Sequence, residues 1–157
     1  MGAANADATA RPVKMMPKAL GTVSSGTRRI TVAVESDQNP PTTTPRRAGL
    51  FQQAADEECL LILTDLGIAE AVWVLTSFYK LERQKVAESL AKLLIKAGVH
   101  CPTLEPVLDA LARFKATNCD FFDCYLAAQA ASSGVAITSF DKDLRKFEDA
   151  SLWDPEV

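Results

Sequence analysis

Apolar residues recur every three or four positions in several stretches of the chain, which is the spacing of an amphipathic helix. The clearest case is residues 82–97, where Gly98, a residue typical of a helix end, follows an apolar stripe made of Val86, Leu90, Leu93, Leu94 and Ala97. Similar patterns predict four further helices, at about 48–58, 66–79, 102–114 and 120–132. A last helical turn or two is expected at 141–147.

Short apolar or β-branched runs lie between these predicted helices. They predict strands at 60–63, 99–101 and 135–138, and the alternating segment 30–34 is a further candidate strand. Because short apolar strands that alternate with helices pack as a parallel sheet covered by those helices, the sequence predicts an α/β sandwich.

The N-terminal part differs in composition from the rest of the chain. Residues 1–29 are rich in Ala, Ser, Thr and Gly and lack a hydrophobic period, and residues 36–47 contain three prolines. We therefore expect a flexible or aberrant segment at residues 1–36 and one globular domain at residues 37–157.

Composition narrows the chemistry that the domain can perform. Four cysteines without a C-x-x-C pair, together with a single histidine, argue against a zinc site and a disulfide framework, and they favour a reducing cytoplasm. We expect neither a secretory signal nor a membrane span. The net charge is +4 over residues 1–49 and −7 over residues 50–157. If such an acidic domain acts on RNA, a bound divalent cation is the natural way to offset its carboxylates.

Glu70 is the only charged residue in the segment LGIAEAVWVLTSFY, residues 66–79. A helix with so little charge is expected to be buried nearly all round, together with Glu70. A lone buried carboxylate is costly unless it is paired or bound to a metal ion. The alternative is that Glu70 lies in the first helical turn and points to solvent.

Asp120 and Asp123 are the only charged residues in the segment CDFFDCYLAAQAA, residues 119–131. Their spacing places both carboxylates on one face near the start of a helix, where they repel each other unless a cation joins them. The alternatives are that Asp120 is a helix N-cap and that Asp123 accepts a hydrogen bond within the core.

Asp141 follows the predicted strand at 135–138, at the strand end where open α/β sheets bind ligands. Its alternative role is the N-cap of the next turn, and Asp143 is expected to be solvated. No His, Lys or Cys accompanies these three acids as part of a nucleophile–base pair. The three acids are Glu70, Asp123 and Asp141. Oxygen ligands alone suit Mg²⁺ or Mn²⁺, so the residues by themselves indicate a divalent-cation hydrolase.

Three segments in this order resemble the PIN-domain family, in particular VapC-type toxins of type II toxin–antitoxin pairs: residues 63–81, 118–144 and LWDP at 152–155. The resemblance covers about residues 37–155. It implies a three-layer α/β/α sandwich with a short parallel sheet, whose first strand is uncertain here. It also implies a Mg²⁺- or Mn²⁺-dependent endoribonuclease, a hydrolase that cleaves phosphodiester bonds.

The resemblance assigns roles to individual residues. Glu70 matches the acid of the family's second helix, Asp123 the main metal-binding aspartate, and Asp120 an acidic neighbour that assists. Asp141 matches the acid after the strand, and Ser139 a hydroxyl that supports the metal shell. The implied partners are an RNA substrate, a cognate VapB-like antitoxin and a second copy of the chain in a homodimer.

Other residues have competing interpretations. Lys142, Arg145 and Lys146, close to Asp141, are candidates for RNA contact. A second basic group, made of Lys80, Arg83 and Lys85, is interpreted as a solvated helix start rather than as a phosphate contact. The stripe that begins at Val86 is assigned to the core rather than to a partner surface. Trp73 and Phe78 are likewise assigned to the core rather than to base stacking.

The sequence departs from the family pattern at its first strand. That strand normally ends in a metal-binding aspartate followed by Thr or Ser and Asn, about ten residues before a loop that resembles residues 37–40. Counting back from Asp37 leads to residues 26–27, where there is no acid. We favour a foreign N-terminus, from a shifted reading frame or a degraded gene. The alternative is that Glu35 or Asp37 substitutes as the ligand.

This departure leaves three functional outcomes. The first is an endoribonuclease, impaired to the extent that the absent ligand matters. The second is a catalytically inactive PIN-like binding module that dimerises or sequesters an antitoxin. The third is a poorly folded fragment, because a sheet without its first strand has an unfilled position and an exposed edge.

Overall fold

A three-stranded parallel sheet in the order β1-β2-β3 organises the structure, a computed structural model that describes residues 28–31, 44–139 and 141–153. The strands are β1 (Arg28–Thr31), β2 (Cys59–Ile62) and β3 (Val99–His100). Five helices complete a mixed α/β fold: α1 (Thr44–Ala55), α2 (Asp65–Trp73), α3 (Arg83–Leu94), α4 (Leu104–Ala116) and α5 (Phe121–Ser133). The predicted α/β class with a short parallel sheet is confirmed.

Strand β1 lies where the sequence was hardest to interpret. It pairs in parallel with β2 in a register that sets Arg28 opposite Cys59 and Thr31 opposite Ile62. The candidate strand at 30–34 therefore exists but begins earlier, and its last three residues lie outside the described part of the chain. Arg28 and Arg29 belong to this strand, which lies inside the segment at residues 1–36 that was expected to be flexible or aberrant. The domain boundary at residues 36 and 37 stays a prediction.

A small hydrophobic cluster fixes α1 against the sheet. Its buried members are Ala54 of α1 and Cys59 and Leu61 of β2, with Ile30 of β1 packed beside them. The turn after α3 also lies close to α1. A Cβ atom added to Gly98 would stand 2.0 Å from the Ala54 carbonyl oxygen, so there is no room for a side chain. Gly98 has φ +75°, a conformation that L side chains rarely adopt, so both its contact and its backbone require glycine.

The main hydrophobic core lies among α2, α3, α4 and α5. The predicted stripe of α3 contributes to it as expected, since Val86, Leu90 and Leu94 are buried and Leu93 packs against them. Ala97 is exposed because α3 ends at Leu94. The interpretation of this stripe as core is confirmed.

The helix predicted at 66–79 is less regular and less buried than its composition suggested. Thr64 caps α2 by accepting a hydrogen bond from the Gly67 N–H at 3.2 Å. After Trp73 the chain continues as a π-helical segment, Val74–Phe78, in which the Tyr79 N–H donates to the Val74 carbonyl at 3.1 Å.

Burial all round this helix was predicted, and that prediction is wrong. Leu66 is 80% exposed, Trp73 56% and Phe78 59%, so only one face of α2 packs on the core. Trp73 and Phe78 are therefore not core residues. A lack of charge along a helix reflects its composition, and apolar side chains also occupy solvent-facing positions.

The C-terminal elements were predicted in part. Gly134, with φ +69°, ends α5 as expected, and the last helical turn or two predicted at 141–147 is a 3₁₀ turn at Lys142–Lys146. The expected strand at 135–138 is reduced to one parallel bridge between Ile137 and Leu152, so it does not join the three-stranded sheet. No helix in the described part of the chain combines the length and the hydropathy that crossing a membrane requires.

Candidate metal and catalytic site

The start of α5 holds the central pair of acids. Asp120 is the N-cap residue, and its Oδ1 accepts a hydrogen bond from the Asp123 N–H at 3.0 Å. The alternative role of Asp120 as an N-cap is therefore confirmed, and this cap uses only one of its two carboxylate oxygens. Asp123 lies in the first turn and is 7% exposed, the only buried charged residue in the described ranges.

The surroundings of Asp123 disfavour its negative charge. Burial raises the pKa of the Asp123 carboxyl group, and the charges of Asp120, Asp141 and Asp143 raise it further, while Lys146 opposes them. Four carboxyl groups from two parts of the chain are thus near one another. Among the described residues no group donates a hydrogen bond to the Asp123 carboxylate, so its alternative role in a core hydrogen bond finds no support there. A cation is the partner that this arrangement suits.

Asp141 is positioned by its own backbone turn. It caps the 3₁₀ turn, where its Oδ1 accepts from the Asp143 N–H at 2.9 Å. The hydroxyl oxygen of Ser139 accepts from the Asp141 N–H at 3.0 Å. Ser139 therefore supports the backbone of the acid, and its predicted role in a metal shell stays a prediction.

Asp143 is a site residue that the sequence analysis missed. It was expected to be solvated, and its side chain is 46% exposed; its charge also acts on Asp123, and it forms an ion pair with Lys146 at 2.8 Å. Hydrogen bonding to Asp143 raises the pKa of Lys146. The available signal was the spacing of Asp141 and Asp143, since an N-cap and the residue two positions later share the open end of a helical turn.

The predicted RNA-contact residues fall in this same turn. Lys146 is engaged with Asp143, and Arg145 is exposed. Lys142 begins the turn, but its side chain lies outside the described part of the chain. Their contact with RNA stays a prediction.

Glu70 lies on a different helix from these acids. It is the sixth residue of α2 and half-buried, so the alternative that put it in the first turn is wrong. Its full burial with the helix, as expected from the composition, is also wrong. Glu70 is not among the charges that act on Asp123.

A second polar cluster joins three helices. The Asp65 carboxylate, at the start of α2, accepts hydrogen bonds from the hydroxyls of Thr103 and Tyr125. The Gln129 side-chain amide donates to the Tyr125 hydroxyl at 2.7 Å. Burial is the main cause that raises the pKa of Tyr125. These contacts were not predicted from the sequence, because neither hydroxyl partner lies within 37 residues of Asp65.

The chemistry of the acidic cluster fits a hard divalent cation, but the described residues do not enclose one. Asp123, Asp120 and Asp141 offer the oxygen ligands that Mg²⁺ and Mn²⁺ prefer. In the three described ranges, however, no set of three His, Cys, Asp or Glu side chains converges closely enough to hold a metal ion. Any complete shell needs a further ligand, or a shift of these carboxylates when the ion binds.

Comparison with known protein families identifies the domain. A family model described as the PIN domain matches residues 47–150, about two thirds of the chain. The chain belongs to the PIN-domain family. No curated protein and no solved structure gives a significant match. The match includes every acid of the cluster and Glu70, and membership of the PIN family supports a nuclease-type function acting on nucleic acid.

Proposed function

We propose that this PIN domain is a Mg²⁺- or Mn²⁺-dependent endoribonuclease of the VapC toxin type. The observation that carries the proposal is Asp123 at the start of a helix, a buried carboxylate whose pKa is raised by burial and by the charges of three further acids. Such a group is stabilised when a cation takes up the shared negative charge. The family match supports the nuclease part of this proposal, because membership of the PIN family indicates a nuclease-type function.

Individual residues have defined tasks in this proposal. Asp123, Asp120 and Asp141 would hold the metal ion, which supplies an activated water molecule and stabilises the negative charge that develops on phosphate. The N-cap hydrogen bonds of Asp120 and Asp141 hold these two carboxylates in place. Glu70 and Ser139 are assigned supporting roles near the ion.

The missing first ligand has a candidate in the chain itself. Strand β1 pairs in parallel with β2, so the first-strand position is filled, and both strands lead towards the same edge of the sheet. Glu35 follows β1 by four residues, and Ser36 and Asp37 come next. This order favours a native N-terminal segment over a shifted reading frame. We assign the substitute ligand to Glu35 or Asp37.

A second function is favoured by the exposed face of α2 and the π-helical segment. Trp73, Phe78 and Tyr79 are each more than half exposed there, and Phe78 packs edge-on against Tyr79 at 5.1 Å. Exposed apolar patches commonly mark protein interfaces. A catalytically inactive module that dimerises, or that holds a VapB-like antitoxin in the cytoplasm, would use such a face.

Cleavage of a labelled RNA pool separates these two functions. The full chain is assayed with Mg²⁺ or Mn²⁺, with EDTA, and as the Asp123→Asn variant. Asp56→Asn is the matched control, because Asp56 is an exposed acid outside the cluster. Cleavage that is lost with EDTA and in Asp123→Asn, but kept in Asp56→Asn, supports the nuclease. A folded wild-type chain that cleaves no RNA supports the binding module.

The same assay tests the substitute ligand. Glu35→Gln and Asp37→Asn are compared singly with the wild type over a range of Mn²⁺ concentrations. The variant that removes a ligand should need more Mn²⁺ for half-maximal cleavage. If both variants behave as the wild type does, neither residue is a ligand.

A further inference from the structure

Arg83, the first residue of α3, points into the protein and not into solvent. It was expected to belong to a solvated basic group with Lys80 and Lys85. Instead its Nη2, which carries two hydrogens, lies within hydrogen-bond distance of three backbone carbonyls, those of Phe114 at 3.0 Å, Thr117 at 3.1 Å and Cys119. These carbonyls end α4 and form the turn that leads to α5.

An aromatic ring fixes the plane of the Arg83 guanidinium. Its central carbon lies 3.7 Å from the centroid of the Phe114 ring, so the cation stacks on the aromatic face. Its Nε is buried and has no hydrogen-bond partner in the described part of the chain. A lysine ammonium keeps the charge but has no planar group to stack on the Phe114 ring, so Arg83 and Lys are not equivalent here.

The turn held by Arg83 is continuous with the acidic cluster. The Cys119 carbonyl belongs to the peptide bond that leads into Asp120. The Asp120 side chain then accepts from the Asp123 N–H, and its backbone carbonyl accepts from the Cys124 N–H at 3.2 Å. The Thr117 hydroxyl also accepts from the Cys119 N–H at 3.3 Å. Two hydrogen bonds and the covalent path through one residue, Asp120, therefore connect the guanidinium to the backbone of Asp123.

We propose that Arg83 is a positioning residue for the acidic cluster. By holding three carbonyls of the turn between α4 and α5, it fixes where α5 begins and so where Asp120 and Asp123 present their carboxylates. The value of this geometry for catalysis rests on the proposed nuclease function. The positioning of the turn by Arg83 does not rest on that function, and it can be measured without metal or RNA.

Arg113 provides a matched control. It lies on α4, its guanidinium faces the Phe147 ring at 5.4 Å, and it bonds to Asp149 at 2.7 Å. Like Arg83, it joins distant parts of the chain through a cation over an aromatic ring. Its side chain makes no hydrogen bond to the turn before α5 among the described residues.

Amide hydrogen exchange of the full chain, measured by NMR without metal, tests the positioning. In Arg83→Lys we expect the amides of Asp123 and Cys124 to exchange about tenfold faster than in the wild type, while amides in the middle of α3 keep their rates. In Arg113→Lys the two amides should exchange at the wild-type rate. Unchanged rates in Arg83→Lys overturn the proposal. So does an equal increase throughout the domain, or in both variants, since it reports a general loss of stability.

Metal binding and chemical rescue then test whether the positioning by Arg83 supports binding of a metal ion at the acidic cluster. Arg83→Lys should bind Mn²⁺ about tenfold more weakly than the wild type, and Arg113→Lys should bind it equally well. Guanidinium ion added to Arg83→Ala should restore part of the affinity, whereas methylammonium should not. If the wild type neither binds Mn²⁺ nor cleaves RNA, the proposed function fails, and the exchange rates still decide the role of Arg83.

Discussion

Helices α2 and α5 both carry an acid that the sequence singled out, yet they are packed very differently. Helix α5 contacts α2, α4 and the 3₁₀ turn, and Asp123 is buried together with five apolar residues of the helix, although Phe122 beside it is 64% exposed. Helix α2 buries only Ile68, Ala71 and Val72, and it leaves Trp73 exposed one turn after Glu70. The same low charge density therefore accompanies a buried helix in one case and a half-exposed helix in the other. Packing neighbours, and not charge content, decide whether an acid is buried.

The largest expected difference between the two helices is in stability. Phe121 of α5 is 6% exposed and packs on the rings of Phe114 and Tyr125, at 6.0 and 6.4 Å between centroids. Phe121→Ala should therefore lower the free energy of unfolding by about 3–5 kcal/mol. Trp73→Ala on the exposed face of α2 should lower it by less than about 1 kcal/mol. Urea denaturation measures both, and equal losses would contradict the difference in packing.

The next largest expected difference is in RNA cleavage by variants of the two acids, Asp123 and Glu70. Asp123→Asn is expected to lower kcat/KM for RNA by about 10²–10³-fold, because it removes a charged group at the centre of the cluster. Glu70→Gln should have the smaller effect, about tenfold, since Glu70 is outside the set of charges that act on Asp123. Cleavage rates at saturating Mn²⁺ provide the comparison. A larger loss in Glu70→Gln would place the catalytic centre at α2 instead.

Tyr125→Phe tests the hydrogen bonds that connect the two helices. It removes the hydroxyl that donates to Asp65 and accepts from Gln129, and leaves one oxygen of Asp65 without that donor. We expect a loss of about 1–2 kcal/mol in the free energy of unfolding. Thr103→Val, which removes the other hydroxyl bound to Asp65, should cost a similar amount. No loss in either variant would mean that the cluster does not join α2 to α5 in solution.

The smallest expected effect is the dependence of folding stability on pH. The folded-state pKa of Asp123 is raised above its ordinary value of 3.8, mainly by burial and then by the neighbouring acids. The folded protein therefore holds this proton more tightly than the unfolded chain does, and stability falls as pH rises from the ordinary carboxyl pKa to the raised one. Asp123→Asn should be more stable than the wild type at neutral pH, and this advantage should shrink as the pH is lowered through that window.

Thermal unfolding of the wild type and of Asp123→Asn, measured without metal over a range of pH, checks the direction of this change in stability. An advantage for Asp123→Asn that grows on acidification would contradict the raised pKa. Mn²⁺ should reverse the order at neutral pH if it binds the wild type more tightly, because a ligand stabilises the folded state that it binds.

Local chemistry explains what the sequence predicted correctly. The apolar stripe of α3, the N-cap roles of Asp120 and Asp141, and the helix end at Gly134 each depend on residues within a few positions of one another. Capping and helical periodicity operate over that distance, so a single sequence contains their signal.

What the sequence did not predict depends on distant residues. Arg83 reaches carbonyls 31 to 36 positions away, and Tyr125 bonds to a residue 60 positions away. The predicted strand at 135–138 had the right composition, but only one bridge to Leu152 formed. Pairing and side-chain direction are set by tertiary neighbours, and local propensity does not contain them.

The π-helical segment Val74–Phe78 has a consequence for how this chain tolerates changes in length. A wide turn accommodates one residue more than an α-helical turn does, so it behaves as an insertion absorbed within a helix. Deleting one residue there would convert the segment into ordinary α-helix without moving Glu70, which precedes it. The same deletion within α5 would rotate everything beyond it by about 100° and take the buried alanines out of the core. Length variation among natural variants of this domain should therefore concentrate at the end of α2.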